Sequence, residues 1–277
     1  MMFDTPDKRV REDFARAKSA LLKGEVAKAL HHAEDALRQM LTGKIFGRAR
    51  FEVEVHLQEF LKDFNRHPDV KSFMAARNVH TTPYVAFKRG GEREVLDFIE
   101  HTLEGLEGAQ KAAEENAEAE RLARKEDLLA RAQEALDAKD FPKGKSILRH
   151  VVEEFGGEDG ILRDVGARML KAGLFFEAGE VLEQALDHDP RDSKALAFAV
   201  QAYKNAREYP KMEKMYKFAI RTFGTHPKTL LHMAEMYLEW RKYDEAYNHA
   251  KQAYDADTSL DRAKEIMDVT GKRIFGG

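Results

Sequence analysis

Residues 159–192 read DGILRDVGARMLKAGLFFEAGEVLEQALDHDPRD. This stretch decides the fold, because its pattern returns at a fixed interval on both sides. Blocks of 34 residues begin at Lys125, Asp159, Ser193 and Pro227, and they run without a gap from Lys125 to Leu260. The fourth residue is Leu128, Leu162, Leu196 and Leu230. The eighth is Ala132, Gly166, Val200 and Ala234, and the twentieth is Gly144, Ala178, Met212 and Ala246. The seventeenth is aromatic in every copy, as Phe141, Phe175, Tyr209 and Tyr243. The twenty-seventh is Val151, Ala185, Ala219 and Ala253. A fixed period of this size predicts a solenoid. Each block holds two helical stretches joined near its fifteenth residue, as at Lys139-Asp140, Gly173 and Arg207-Glu208. Small residues let the two helices approach, and the aromatic fills the space beside the turn. One block cannot bury its apolar faces alone, so stacked neighbours must share a continuous core.

The pattern resembles the tetratricopeptide repeat family, whose unit is a 34-residue helix-turn-helix with a small-residue and aromatic code. The best single copy is residues 159–192, which ends Ala185-Leu186-Asp187-His188-Asp189-Pro190. Residues 227–260 match nearly as well, through Met233, Ala234, Tyr237, Tyr243, Ala246, Ala250 and Ala253. The departures are mild. Arg131 stands where the family usually has Leu, no block has the early Trp, and Gly156, Gly224 and Thr258 replace the closing Pro that only Pro190 supplies. The resemblance covers about half the chain. It implies an all-α fold, a right-handed superhelix of helical hairpins, with a small, mostly helical N-terminal region ahead of it. It also implies that the first helix of each block lines a concave face. Family members that clamp the acidic C-termini of heat-shock proteins use Lys and Asn from successive first helices. The matching positions here are Leu129, Gln133, Phe198 and His232, so that clamp is not expected.

Outside the array, residues 1–9 read as a short leader, with a helix start at Thr5-Pro6-Asp7, because Pro is tolerated in a first turn. Residues 1–43 read as a helical hairpin similar to a fifth repeat, from the spacing of Ala17, Ala20, Gly24, Val26, Ala29, Ala33 and Ala36; an ordinary amphipathic hairpin reads similarly. Residues 44–104 break the period. Phe51, Val55, Leu57, Phe60, Leu61 and Phe64 predict an amphipathic helix that ends at His67-Pro68. Val70 to Asn78 predicts a second short helix, and Val95, Leu96, Phe98, Ile99 and Leu103 a third after the turn at Gly90-Gly91. Residues 82–87, TPYVAF, are the best strand candidate. A lone strand makes no sheet. This one must pair with another chain or be an extended loop packed on helices. Residues 105–124 predict a charged linker helix with few core residues, running on towards Arg124 to Ala138. Residues 261–277 predict a capping helix followed by a loose tail at Ile274-Phe275-Gly276-Gly277.

Composition narrows the function. The chain has 277 residues, 43% hydrophobic and 34% charged, with 46 Lys and Arg against 49 Asp and Glu. A net charge of −3 offers no basic excess for a nucleic-acid backbone. No window approaches 18 consecutive apolar residues, so no membrane span is expected. The start of the chain has no apolar run of a secretory signal. Cysteine is absent, which excludes disulfides and thiolate metal sites and fits a reducing, cytoplasmic setting. The 11 His show no zinc-helix spacing. Asp187 to Asp192 lacks the central Gly and closing Glu of a calcium loop. Thr42-Gly43-Lys44 lacks the upstream Gly of a phosphate loop. No nucleophilic set stands out. The expectation is therefore a non-catalytic protein with no cofactor and no metal.

What remains is a binding surface. A helix turns once in 3.6 residues, so the second, fifth, ninth and twelfth residues of each first helix share a side. The groove candidates are Leu129, Gln133 and Leu136; Arg163, Ala167 and Leu170; Lys194, Ala197, Gln201 and Lys204; Lys228, Leu231, Glu235 and Leu238. This face mixes aliphatics with cations, which suits a protein or peptide partner with apolar anchors and some acidic residues. The reading is a scaffold or adaptor. The alternative is that residues 44–104 carry self-association or small-ligand sensing, with the array as tether or relay. A homo-oligomer stays open.

Overall fold

In a computed structural model, which describes residues 6–275, the turn inside each block sets the architecture. The fifteenth residue of every block is left-handed, with φ of 59° at Lys139, 84° at Gly173, 58° at Arg207 and 62° at Arg241. Each of these N–H groups donates to the carbonyl of the twelfth residue, and the next N–H donates to the carbonyl of the eleventh. At Arg207, for example, the bonds are 3.1 Å to Lys204 and 2.9 Å from Glu208 to Tyr203. This is the Schellman closure, which satisfies the last carbonyls of a helix while reversing the chain. Gly24, with φ of 78°, repeats it in the N-terminal hairpin, where Gly24 donates to Leu21 and Glu25 to Ala20.

Thirteen helices and no strand are found among the described residues. The chain divides into two units, residues 1–120 and 121–277. In the second unit the last part of α5 (Glu92–Asp137) is followed by α6 (Phe141–Phe155), α7 (Ile161–Lys171), α8 (Phe175–His188), α9 (Ser193–Ala206), α10 (Tyr209–Phe223), α11 (Pro227–Glu239), α12 (Tyr243–Ala256) and α13 (Asp261–Phe275). Consecutive helices from α6 onwards pack on one another. The core threads all of them, from Ala132 and Leu148 through Leu182 and Tyr203 to Ala253 and Ile266. This is a helical solenoid. Close approach is built into the sequence: a Cβ at Gly144 would press on Leu136, and one at Gly166 on Leu182. α13 starts 34 residues after α11 and packs on α11 and α12, as the first helix of a further block would. It buries Ala263 and Ile266 and leaves Lys264, Glu265, Asp268 and Lys272 exposed.

Tyrosines link successive blocks. The fully buried Tyr203 of α9 donates 2.6 Å to Glu183 of α8. Tyr237 of α11 likewise reaches Glu213 of α10. Both tyrosines are the eleventh residue of their block. Burial raises the Glu183 carboxyl, but bonds from Lys214 and Tyr203 and the charge of Lys211 outweigh it and hold the group below the usual range.

The first unit holds α1 (Pro6–Leu22), α2 (Val26–Thr42), α3 (Gly47–Arg66), α4 (Pro68–Ala76) and the first part of α5. α1 packs on both α2 and α3. Rings run through its core, Phe14 to Phe60 at 6.2 Å, Phe60 to Phe64 at 6.0 Å and Phe64 edge-on to Phe98 at 6.3 Å. Arg50 of α3 bonds Glu54 at 3.0 Å, Glu92 at the start of α5, and the Met40 carbonyl of α2 at 3.3 Å. Glu54 and Glu92 are both buried, and pairing is what permits that.

Of the two readings of residues 82–87, the extended loop holds and the strand does not. The side chain of Asn65 takes the place of a neighbouring strand. It accepts from the N–H groups of Tyr84 at 2.6 Å and Val85 at 3.3 Å, and it donates to the Val85 carbonyl at 2.8 Å. Val85 is buried beneath. The backbone groups that a neighbouring strand would pair are met by this one amide. Residues 6–9 are the first residues of α1 rather than leader, and residues 1–5 lie outside the described residues. Ile274 and Phe275 continue α13, while Gly276 and Gly277 lie outside the described residues. The charged stretch 105–124 is the middle of the 46-residue helix α5.

Candidate partner-binding groove

Every groove residue except Leu136 is half-buried or exposed. Leu136 is 3% exposed and lies against Gly144, inside the hairpin core. Its ridge turns inward because α6 comes close enough at Gly144 to cover it. Leu129, Ala167, Leu170, Leu231 and Leu238 are half-buried. Ala197 and Gln201 are exposed.

The cations divide into two kinds. Arg163 pairs with Asp192, which also caps α9 by accepting from Lys194 N–H at 3.0 Å and Ala195 N–H at 2.9 Å. Burial raises Asp192, but these amides and Arg163 hold its carboxyl below the ordinary range. Arg163 therefore locks the joint between two blocks. Arg168, not among the expected residues, bridges first helices by bonding Gln133 at 3.1 Å and Asp164 at 2.8 Å. Lys194, Lys204 and Lys228 are exposed and, among the described residues, form no ion pair.

The blocks are not stacked evenly. α7 packs on α9 and α11 on α13, yet α9 and α11 scarcely meet. α9 also meets α10 over a shorter stretch than α7 meets α8 or α11 meets α12. The third block explains this. Its eighth and twentieth residues are Val200 and Met212, where the other blocks place Ala or Gly. Its twenty-fourth is Tyr216, against Leu148, Leu182 and Ala250 elsewhere. An oversized filling holds α9 away from α10 and α11, while α9 stays closely packed on α8, since a packed core yields little volume.

A cavity of about 510 Å³ opens in that gap. Leu196, Val200, Met212, Tyr216, Ala219 and Met236 form an apolar floor. Ser193, Ala197, Gln201 and Lys204 of α9 line one wall, and Thr229, His232, Glu235 and Glu239 of α11 the other. Four of the expected residues, Ala197, Gln201, Lys204 and Glu235, are thus brought around one cavity. Glu235 is held 3.6 Å from Arg262 of α13. Burial first, then the Glu235 and Glu239 carboxylates, push the Tyr216 hydroxyl up to about 12, so it stays a neutral donor across the working range of pH. A second, more open hollow near Leu129, Gln133 and Arg168 lies at the first block. The floor residues escaped the choice of one helix face, because they come from α10 and from the inward sides of α9 and α11. Val200 and Met212 at small-residue positions were the available signal.

Trp240 sits at the α11–α12 turn, stacked on Tyr237 at 6.1 Å and Tyr209 at 5.8 Å, with the Lys242 ammonium 3.4 Å above it. No group of three metal-binding side chains is found among the described residues. No helix among them is long and apolar enough to cross a membrane.

No family model matches the chain, and no curated protein matches it. Among solved structures, it is similar to the crystal structure of a tetratricopeptide repeat protein from Parabacteroides merdae, with a TM-score of 0.32 and 13% identity over 95% of this chain and 99% of that one. A likeness of that size leaves the fold to stand on the chain's own helices and turns.

Proposed function

We propose that the protein is a non-catalytic scaffold that holds a peptide segment of a partner protein along the first helices of residues 125–260. The observation that carries this reading is the gap between α9 and α11, where half-buried Val200, Tyr216 and Ala219 line a cavity beside the exposed Lys204, with Lys194 and Lys228 exposed elsewhere on the same two helices. The partner segment seats an aliphatic or aromatic side chain on the half-buried Val200, Tyr216 and Ala219 and sets acidic residues against Lys194, Lys204 and Lys228. Burying one such side chain supplies about 1.5–3 kcal/mol. The lysines mainly speed encounter.

The test is to pan a random peptide library on the full chain and on a variant with Lys194→Glu, Lys204→Glu and Lys228→Glu. Enriched sequences should combine an apolar anchor with acidic neighbours, and the variant should bind them at least about tenfold more weakly, since each 1.4 kcal/mol is a factor of ten. Equal binding to both proteins rejects the groove.

A further inference from the structure

The stretch of residues 41–51, LTGKIFGRARF, joins α2 to α3 and contains three cations and no acid. It is oddly apolar for a surface. Phe46 is 76% exposed, Phe51 63% and Leu41 42%. Ile45 between them is buried and pins the segment to the body of the unit. Gly47, with φ of 59°, takes a left-handed turn just after Phe46, a conformation glycine adopts without cost. Two rings are thereby held in water on a joint that cannot fold back over them.

The charges around the rings are outward too. Lys44 is exposed and forms no ion pair among the described residues. The Arg48 side chain is 92% exposed; its one partner, Glu52 at 3.0 Å, is shared with Arg11 at 2.9 Å. Arg89, 79% exposed, reaches only Glu54 among the described residues, at 3.7 Å. Arg50 alone is turned inward, to Glu54 and Glu92.

We infer that this joint docks the protein on an anionic lipid surface, with Phe46 and Phe51 entering the interface and Lys44 and Arg48 held among the headgroups. Exposed rings flanked by long cationic side chains are suited to that boundary, where the apolar body is buried and the charge stays wet. A second copy of the chain fits worse. A two-fold contact places the same patch on both sides, which would set Lys44 and Arg48 against their own images. A soft interface also accepts exposed rings without a matching groove. Two rings and a few cations give reversible adsorption rather than permanent anchoring.

The test is co-sedimentation of the full chain with vesicles of phosphatidylcholine alone and of phosphatidylcholine with phosphatidylglycerol. Binding is expected only to the second, and it should fall as salt is added. Phe46→Ser with Phe51→Ser, and separately Lys44→Glu with Arg48→Glu, should each weaken binding about tenfold or more. Unchanged helical circular dichroism in each variant keeps the comparison fair. Absence of binding to either vesicle overturns the inference, as does equal binding to both. So does a shift of the serine variant to a smaller particle in sedimentation without vesicles, which would make the patch a contact between copies. The groove variant of residues 194, 204 and 228 should bind vesicles as the parent does, so failure of one reading leaves the other standing.

Discussion

At the scale of single residues, the joints between blocks depend on atoms that are missing as much as on atoms present. Gly179 is the twenty-first residue of its block, and the buried ring of Tyr203 occupies the space where its Cβ would go. Tyr203 is fixed from the other end by Glu183, so the ring cannot swing away. Gly179→Ala should therefore cost about 1–3 kcal/mol by overpacking, even though Ala is the better helix former. Urea titration would measure it, and a neutral or stabilising result would contradict the packing. Tyr203→Phe removes the hydroxyl from Glu183 and should cost about 1.5–3 kcal/mol at neutral pH, since the lost bond is to a charged group. The Glu183 carboxyl is depressed in the folded chain. Its contribution is therefore complete above the ordinary carboxylate range and fades as pH falls through the lowered value. The Phe variant should lose less stability on acidification than the parent does, and parallel losses would remove Glu183 from the account.

At the scale of elements, most of the helices could be read from the chain because their period is 3.6 and their stops are chemical. The block turns could be placed at the fifteenth residue, yet only Gly173 and Gly24 announce a left-handed backbone. Lys139, Arg207 and Arg241 adopt it because the Schellman bonds on either side require it. The loop at residues 82–87 was ambiguous for a related reason. Its β-branched and aromatic residues suit a strand or a packed loop alike, and Asn65, seventeen residues upstream of Thr82, is what covers the polar edge. Leu136 was placed on the groove by angle alone, and only the contact with Gly144 shows it turned inward. The gap between α9 and α11 was legible as a departure at two positions, but a list of residues does not say which helix gives way. That argument has a direct check. Val200→Ala with Met212→Ala restores the small pair seen in the other blocks. α9 should then settle onto α10, and a crystal structure of the variant should show a cavity smaller than about 510 Å³. The stability cost should fall below the roughly 3–5 kcal/mol of two uncompensated truncations, because the space collapses instead of standing empty. A larger cavity would mean that something other than these side chains holds the helices apart.

At the scale of the whole molecule, two cores share one chain. One gathers Phe14, Leu37, Phe60 and Ile99, and the other runs from Ala132 to Ile266. In the second, each block touches only its neighbours, so stability is a sum of local terms and joints. A lesion in α13 should then stay local. Ile266 of α13 is 1% exposed and belongs to the core that α13 shares with α11 and α12. Ile266→Asn leaves an amide there with little to bond and removes aliphatic contact, at a cost of about 3–5 kcal/mol. Amide hydrogen exchange should quicken in α11, α12 and α13, where the joint is loosened, and less in α9 and α10. It should be unchanged in residues 6–120, whose core contains none of the affected side chains. This gradient separates a solenoid from a single cooperative globule, in which the same lesion would raise exchange everywhere by the same factor. Uniform acceleration across both units would therefore refute the nearest-neighbour picture, and with it the reason a gap between α9 and α11 can persist while the blocks on either side remain closed.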